Sequence, residues 1–200
     1  MPTWKEVTAA NPDHSENYAR RWQNMIDAGD DIDGEARLVD AIAPQRGSRI
    51  LDAGCGQGRL GGRLAALGHE VVGTDIDEIL IDHAKRQFPG ATWYVGDLGT
   101  DPIPESGFDI AVSAGNVMGF LAPEGREPAL QHIYDSLTGG GRFVVGFGAG
   151  RGWAFTDFLD TAAQVGFTQD YVFESWDLKP FAKDSHFLVA LLTKPATLNF

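Results

Sequence analysis

The stretch Ser48-Arg49-Ile50-Leu51-Asp52-Ala53-Gly54-Cys55-Gly56-Gln57-Gly58 decides the reading of this chain. A short apolar run that closes on an acid and passes into alternate glycines predicts a buried strand turning sharply into a helix. The strand is expected over Ser48–Ala53 and the helix over Gln57–Leu67. The same rhythm continues downstream. Glu70–Asp75 reads as a second strand, and Asp77 caps a helix carrying Ile79, Leu80, Ile81 and Ala84 that ends at Pro89. Thr92–Gly96 and Phe108–Ser113 read as a third and a fourth strand. A helix near Pro123–Leu137 then leads through Gly139-Gly140-Gly141 into a fifth strand, Arg142–Phe147.

Upstream, Asn11-Pro12 opens an amphipathic helix with Tyr18, Trp22, Met25 and Ile26 on one face and Gly29 as its stop. A second helix is expected over Gly34–Ala43, capped by Asp33 and terminated by Pro44. Downstream, a helix over Trp153–Val165 stops at Gly166. Two β-rich runs follow, Phe167–Trp176 and His186–Thr193, with no helical pattern between them, so they should pair antiparallel at one edge. Strands alternating with helices predict an α/β fold: a doubly wound, mostly parallel seven-stranded sheet with helices on both faces and an antiparallel C-terminal strand pair.

A length of 200 residues fits one domain, and neither repeats nor a linker divide it. Hydrophobic residues at 43% and charged residues at 22% are ordinary globular usage and exclude a disordered chain. Lys and Arg number 16 against 28 Asp and Glu, a net charge of −12, which argues against a protein that grips nucleic-acid phosphates. The longest apolar run, Phe187–Leu192, is far short of a membrane span, and Met1–Glu16 lacks the apolar core of a signal peptide. The one cysteine, Cys55, cannot form an internal disulfide, and no Cys/His cluster has metal-site spacing. These features predict a cytoplasmic protein without a metal or a membrane partner.

In an open parallel sheet, ligands bind beyond the carboxyl ends of the strands, near the switch in strand order. The first strand ends at Asp52 with Gly54, Gly56 and Gly58, where a ligand can approach bare backbone. The second ends at Asp75, 21 residues after Gly54, where a carboxylate can accept from both hydroxyls of a ribose. The third ends at Gly96-Asp97-Leu98, a second acid on the same crevice, suited to an exocyclic adenine amine. Singly, each acid also reads as a solvated loop residue; together they predict a nucleoside site. Gly56-Gln57-Gly58-Arg59-Leu60-Gly61 is also a literal GxGxxG, which keeps an NAD-dependent oxidoreductase open. Against it stand Asp52, which closes the strand before the first glycine, and the extra step Gly54-Cys55.

Ile50–Gly58, Val71-Val72-Gly73-Thr74-Asp75-Ile76-Asp77, Val95-Gly96-Asp97-Leu98, Phe108-Asp109-Ile110-Ala111-Val112 and Leu137–Val145 resemble, in order, the motifs of the class I S-adenosylmethionine-dependent methyltransferases. The resemblance implies a Rossmann-like methyltransferase fold as a single domain over 1–200. Within it, 1–47 would form N-terminal helices covering the cofactor site, 48–148 the cofactor-binding core, and 149–200 the C-terminal helix and strand pair. It implies S-adenosyl-L-methionine as cofactor. Gly54, Gly56 and Gly58 would meet its methionyl part, and Asp52 would orient that loop or meet the ammonium group through water. Asp75 would hold the ribose, Ile76 would pack on the adenine, and Asp97 with the Leu98 amide would read the adenine edge. Asn116, in Ala114-Gly115-Asn116, would lie beneath the sulfonium; Tyr18 and an arginine at 20 or 21, with Arg21 favoured, would close over the cofactor and its carboxylate.

Methyl transfer from a sulfonium asks mainly for alignment of a nucleophile, so no side chain is assigned as catalytic. Candidates for the acceptor pocket are Trp22, Asn116, Met118, Arg151, Trp153, Trp176, Phe181 and His186, each equally readable as core or surface. The short connections and the lack of a basic tract favour a small-molecule acceptor. A cofactor-binding protein without turnover is the non-enzymatic alternative.

Overall fold

The computed structural model describes residues 1–196. Their order is α1 (Trp4–Ala10), α2 (His14–Asp27), α3 (Gly34–Ile42), β1 (Arg49–Ala53), α4 (Arg59–Ala66), β2 (Glu70–Asp75), α5 (Glu78–Gln87), β3 (Thr92–Val95) and β4 (Phe108–Ser113). There follow α6 (Val117–Phe120), a 3₁₀ turn (Pro123–Gly125), α7 (Arg126–Ser136), β5 (Leu137–Gly148), α8 (Phe155–Val165), β6 (Thr168–Phe173) and β7 (Phe187–Thr193). The seven strands form one sheet in the order β3-β2-β1-β4-β5-β7-β6. Neighbours from β3 to β5 are parallel, and β7 pairs antiparallel with both β5 and β6. The strand order reverses between β1 and β4, so the crevice of the doubly wound fold opens there.

The alternation of side chains along the strands feeds two cores. On one face, Phe108, Phe143, Phe147 and Leu51 pack under Leu130 and Ile133 of α7 and Phe158 of α8. On the other, Ile50, Ile110 and Val144 pack under Val39 of α3 and Leu64 of α4. A smaller cluster gathers Cys55, Ile81 and Ala84 around Trp93. Trp93 fits because Gly73 beside it has no Cβ; one built there would lie 2.4 Å from the indole.

The structure departs from the sequence expectations at several ends. Two short helices, α1 and α6, carry too few apolar repeats to be read from periodicity. The triplet Gly139–Gly141 is not a loop but the opening of β5, whose pairing with β4 slips between Phe108 and Ile110. A Cβ on Gly141 would lie 3.1 Å from the Phe108 carbonyl, so glycine makes that irregularity possible. The helix expected from Trp153 starts at Phe155, because Trp153 is buried beneath the Arg126 guanidinium. Asp33 precedes α3 but makes no capping bond; it pairs with Arg63 at 3.0 Å instead.

Gly73→Ala drives a methyl group into the Trp93 ring and should destabilise the fold by about 1–3 kcal/mol. Urea denaturation monitored by tryptophan fluorescence measures it, with a lowered midpoint and unchanged slope as the expected outcome.

Candidate functional site

The turn after β1 is fixed by backbone bonds from the neighbouring strand. The amides of Gly54 and Cys55 both donate to the Thr74 carbonyl, at 2.8 and 3.0 Å. Gly54 is left-handed at φ 80°, and a Cβ there would fall 2.4 Å from a methyl of Val117. The chain then swings past the end of β2, where the Gly56 amide donates to Asp75 Oδ2 at 2.8 Å. The other oxygen of Asp75 accepts the Asp77 amide at 2.9 Å. Burial pushes this carboxyl up to about 6, against the pull of those two amides.

Gly54, Gly56, Asp75, Ile76, Asp97 and Leu98 line one cavity of about 440 Å³. Asp97 Oδ1 accepts the Gly99 amide and Oδ2 the Lys5 ammonium, each at 2.9 Å. The Leu98 carbonyl meets His132 Nδ1 at 2.8 Å, while its amide has no acceptor among the described residues. The far wall comes from the loop after β4, through Ala114 and Gly115, and from Val117 and Phe120 of α6.

The N-terminal helices form a roof, and the contacts that hold it, from Trp4 and Ser15 to Asp77, are the part that sequence reasoning missed. Trp4 of α1 donates from Nε1 to Asp77 Oδ2 at 2.7 Å, and Ser15 of α2 donates to the same oxygen. Asp77 Oδ1 meanwhile accepts the Ile79 and Leu80 amides of α5. One carboxylate thus caps α5 and ties two N-terminal helices to it. The Trp4 ring stands edge-on to Tyr18 and Phe120, at 5.5 and 5.3 Å. The local sequence around Trp4 carries no signal for these partners. Tyr18 lines the same cavity: its hydroxyl lies 4.0 Å from a Cβ built on Gly56 and 3.6 Å from one on Gly115. Burial raises its phenol further above the ordinary value, so it is a neutral hydrogen-bonding group.

A recess of about 20 Å³ adjoins the cavity, lined by Tyr18, Trp22, Asp52 and Arg59 among others. Arg59, at the start of α4, stacks on Trp22 at 4.2 Å and pairs with Glu35 at 2.9 Å. It lines the recess together with Gly54 and Cys55 of the glycine turn, whereas the sequence reading looked to an arginine at 20 or 21, with Arg21 favoured, to face the cofactor carboxylate. Arg21 is exposed and lies over the Tyr18 ring at 5.2 Å. Asp52 is buried, accepts the Gly61 amide at 2.9 Å, and is pushed by burial up to about 7.

Other anticipated residues are spent on structure. Gly58 faces away from the cavity, its missing Cβ making room for Ala84, Trp93 and Phe88. Asn116 adopts a left-handed φ of 64° and accepts the Gly148 amide at 2.8 Å, bracing the loop rather than lining the cavity. Of the acceptor-pocket candidates, Trp22 lines the recess, Met118 and Trp153 are buried core, Trp176 covers Gly146 and Phe181 packs on Phe155. Arg151 and His186 are exposed.

Comparison with known proteins fits this geometry. Residues 50–141 match the methyltransferase domain family. A TehB-like S-adenosylmethionine-dependent methyltransferase from Corynebacterium glutamicum is 64% identical; the match covers 92% of this chain and all 100% of that one, with a TM-score of 0.89. An uncharacterized methyltransferase of Mycobacterium tuberculosis is 35% identical over 103 residues, which are 50% of this chain and 46% of that protein. The chain therefore spans about half the length of such curated relatives. The bovine 18S rRNA (guanine-N(7))-methyltransferase is 26% identical over 92% of this chain and 69% of its own length. The chain belongs to the S-adenosylmethionine-dependent methyltransferase family, with its Rossmann-like fold.

Asp52 also sets a pH dependence. Its folded-state value lies above the ordinary carboxylate value, so the native protein holds this proton more tightly than the unfolded chain. The stability it contributes is present below about pH 4 and is lost as pH rises toward 7. Asp52→Asn, which keeps an acceptor for Gly61, should remove part of that loss. Urea denaturation at pH 5 and pH 8 should show the variant gaining on the parent at the higher pH by on the order of 2 kcal/mol.

Proposed function

We propose that this chain transfers a methyl group from S-adenosyl-L-methionine to a small-molecule acceptor. One observation carries the reading: the ends of β1, β2, β3 and β4 bring bare glycine backbone, two carboxylates and a free amide to a single cavity. That volume lies in the range of cofactor pockets, roughly 300–1,000 Å³. When bound, the cofactor supplies a methyl group on a sulfonium, already a good leaving group.

The residues divide the work by chemistry. Asp75, preset by the Gly56 and Asp77 amides, would accept from the ribose hydroxyls with its remaining lone pairs. Asp97 and the Leu98 amide would take the donor and acceptor of the adenine edge, while Ile76 and Leu80 supply apolar wall. The recess beside Tyr18 and Arg59 has room for about one water and its guanidinium is already paired with Glu35, so the methionyl end would lie along Gly54, Gly56 and Gly115 in the main cavity. Tyr18 and Gly115 then border the reacting end, and the roof of Trp4 keeps water from it.

The small-molecule half of the reading rests on charge. A net charge of −12 gives a phosphate backbone little to bind. The buried lone thiol of Cys55 is consistent with a reducing, cytoplasmic setting. Gly58 and Gly61 pack against Trp93 at the helix–strand contact, a role that glycine has in NAD enzymes too, so the choice between the two cofactors rests on Asp52 and Asp97 and not on the GxGxxG spelling.

Asp75→Ala should weaken S-adenosylhomocysteine binding by tenfold or more, since each charge-assisted hydrogen bond contributes about 1.5–3 kcal/mol. Isothermal calorimetry measures this; a change within twofold would remove the ribose assignment. With its carboxyl raised to about 6, Asp75 should also make the parent's affinity fall as pH drops from 7 to 5, a trend that Asp75→Asn should flatten. An absence of S-adenosylhomocysteine binding by the parent would overturn the proposal itself.

A further inference from the structure

The end of the cavity beyond β3 rests on a tight turn, residues 97–101, whose backbone groups are almost all bonded within it. The Asp97 amide donates to Asp101 Oδ2 at 2.9 Å. The Asp97 carbonyl accepts the Thr100 and Asp101 amides, at 3.0 and 2.8 Å. The Gly99 amide donates to Asp97 Oδ1 at 2.9 Å. The Leu98 amide is the one donor of this turn without an acceptor among the described residues. What the turn leaves for a ligand is therefore that amide and the outer oxygen of Asp97, which carries only the Lys5 ammonium.

The turn is also held from outside. His132 of α7 meets the Leu98 carbonyl through Nδ1 at 2.8 Å. A carbonyl oxygen only accepts, so Nδ1 carries the proton and donates. That carbonyl and the Gly99 N–H belong to one peptide unit, which is planar and rigid. His132 thus holds one end of the plane, and Asp97 Oδ1 the other. A donor on the carbonyl also polarises the N–H opposite and strengthens its bond to the acid. The orientation of the Asp97 carboxylate therefore depends on His132. The helix that carries His132 is firmly placed, since Ala129, Leu130 and Ile133 are buried in the same core as the Leu98 side chain. Just before α7, Gly125 lies so close to the turn that a Cβ built on Gly99 would fall 3.0 Å from Gly125 Cα. That contact sets how near the turn comes to α7, and the His132 bond sets which way its peptide faces.

We propose that His132 is a positioning residue for base recognition: by fixing the Leu98–Gly99 peptide it presents Asp97 and the Leu98 amide together as a reader of a 6-aminopurine. This rests on the methyl-transfer reading above, in which those two groups take the adenine edge. The carboxylate accepts from the exocyclic amine, and the amide donates to the adjacent ring nitrogen. A 6-oxopurine presents the reverse, an oxygen and an N–H, and leaves both protein groups unpaired, which is how a hydrogen-bonding site rejects a near-isostere. His132 itself does not line the cavity, so its effect passes through the turn.

Calorimetry of the full chain with S-adenosylhomocysteine and with S-inosylhomocysteine, its 6-oxopurine counterpart, tests this. The parent should prefer the adenosyl ligand by at least tenfold. In His132→Leu the affinity for S-adenosylhomocysteine should fall at least fivefold while that for S-inosylhomocysteine stays within twofold, so the preference shrinks. His132→Asn, whose side-chain nitrogen can take the place of Nδ1, should restore the parent's preference to within twofold. Circular dichroism checks that each variant is folded, and His132→Ala takes the place of His132→Leu if the latter is not. No S-adenosylhomocysteine binding by the parent would overturn the cofactor reading and this proposal with it. Four other results would overturn this proposal alone: equal binding of the two ligands by the parent, an equal loss for both in His132→Leu, a preference there within twofold of the parent's, or no rescue by His132→Asn.

Discussion

The site depends on one carboxylate meeting one amide. Asp75 reaches from the end of β2 to the Gly56 N–H and, through its second oxygen, to the Asp77 N–H. Those bonds set the turn after β1 against the turn before α5. A carboxylate at this depth would be expelled or protonated without such donors, and its raised value near 6 records how incompletely two amides replace water. Glycine at 54 and 56 follows from the same constraint. At φ 80° and 54° the backbone can deliver the Gly56 amide to the acid, and the missing Cβ at 54 lets Val117 close in from the other side.

Much of the architecture was legible because each parallel strand is a short apolar run punctuated by an acid or a glycine. β2 and β4 lie on the stretches read for them, and Asp77 caps α5 as its place before Glu78 suggested. The parts not legible are those where tertiary contacts override local pattern. Gly139–Gly141 spell a loop, yet they run within β5 as the irregular stretch between Leu137 and Arg142, which pair with Phe108 and Ile110 of β4, while Gly140 and Gly141 exchange backbone bonds with Lys194. Trp153 looks like the first turn of a helix, but packing beneath Arg126 fixes it outside one.

The candidate site divides in the same way. Asp75, Ile76, Asp97 and Leu98 are ends of strands, so topology alone delivers them to the cavity. Residues on helices depend on a rotational phase that spacing does not reveal. Tyr18 faces inward and Arg21, three residues on, outward, while Arg59 supplies the cation beside the glycine turn. The roof was the least legible part. Nothing local in Thr3-Trp4-Lys5 announces partners at Asp77 and Asp97, more than seventy positions away.

The placement of β7 has a bearing on how the molecule is made. This strand leaves the ribosome after β6 yet is inserted between β6 and β5. Until residues 187–193 emerge, the long β5 has an open flank and Phe143 and Phe147 lack their cover from Leu188 and Leu192. The half of the sheet from β3 to β4, which borders the candidate site, can assemble early on the nascent chain. The half toward β6 must wait, so an aggregation-prone edge persists through much of synthesis, and chaperone occupancy should concentrate on β5 during that interval.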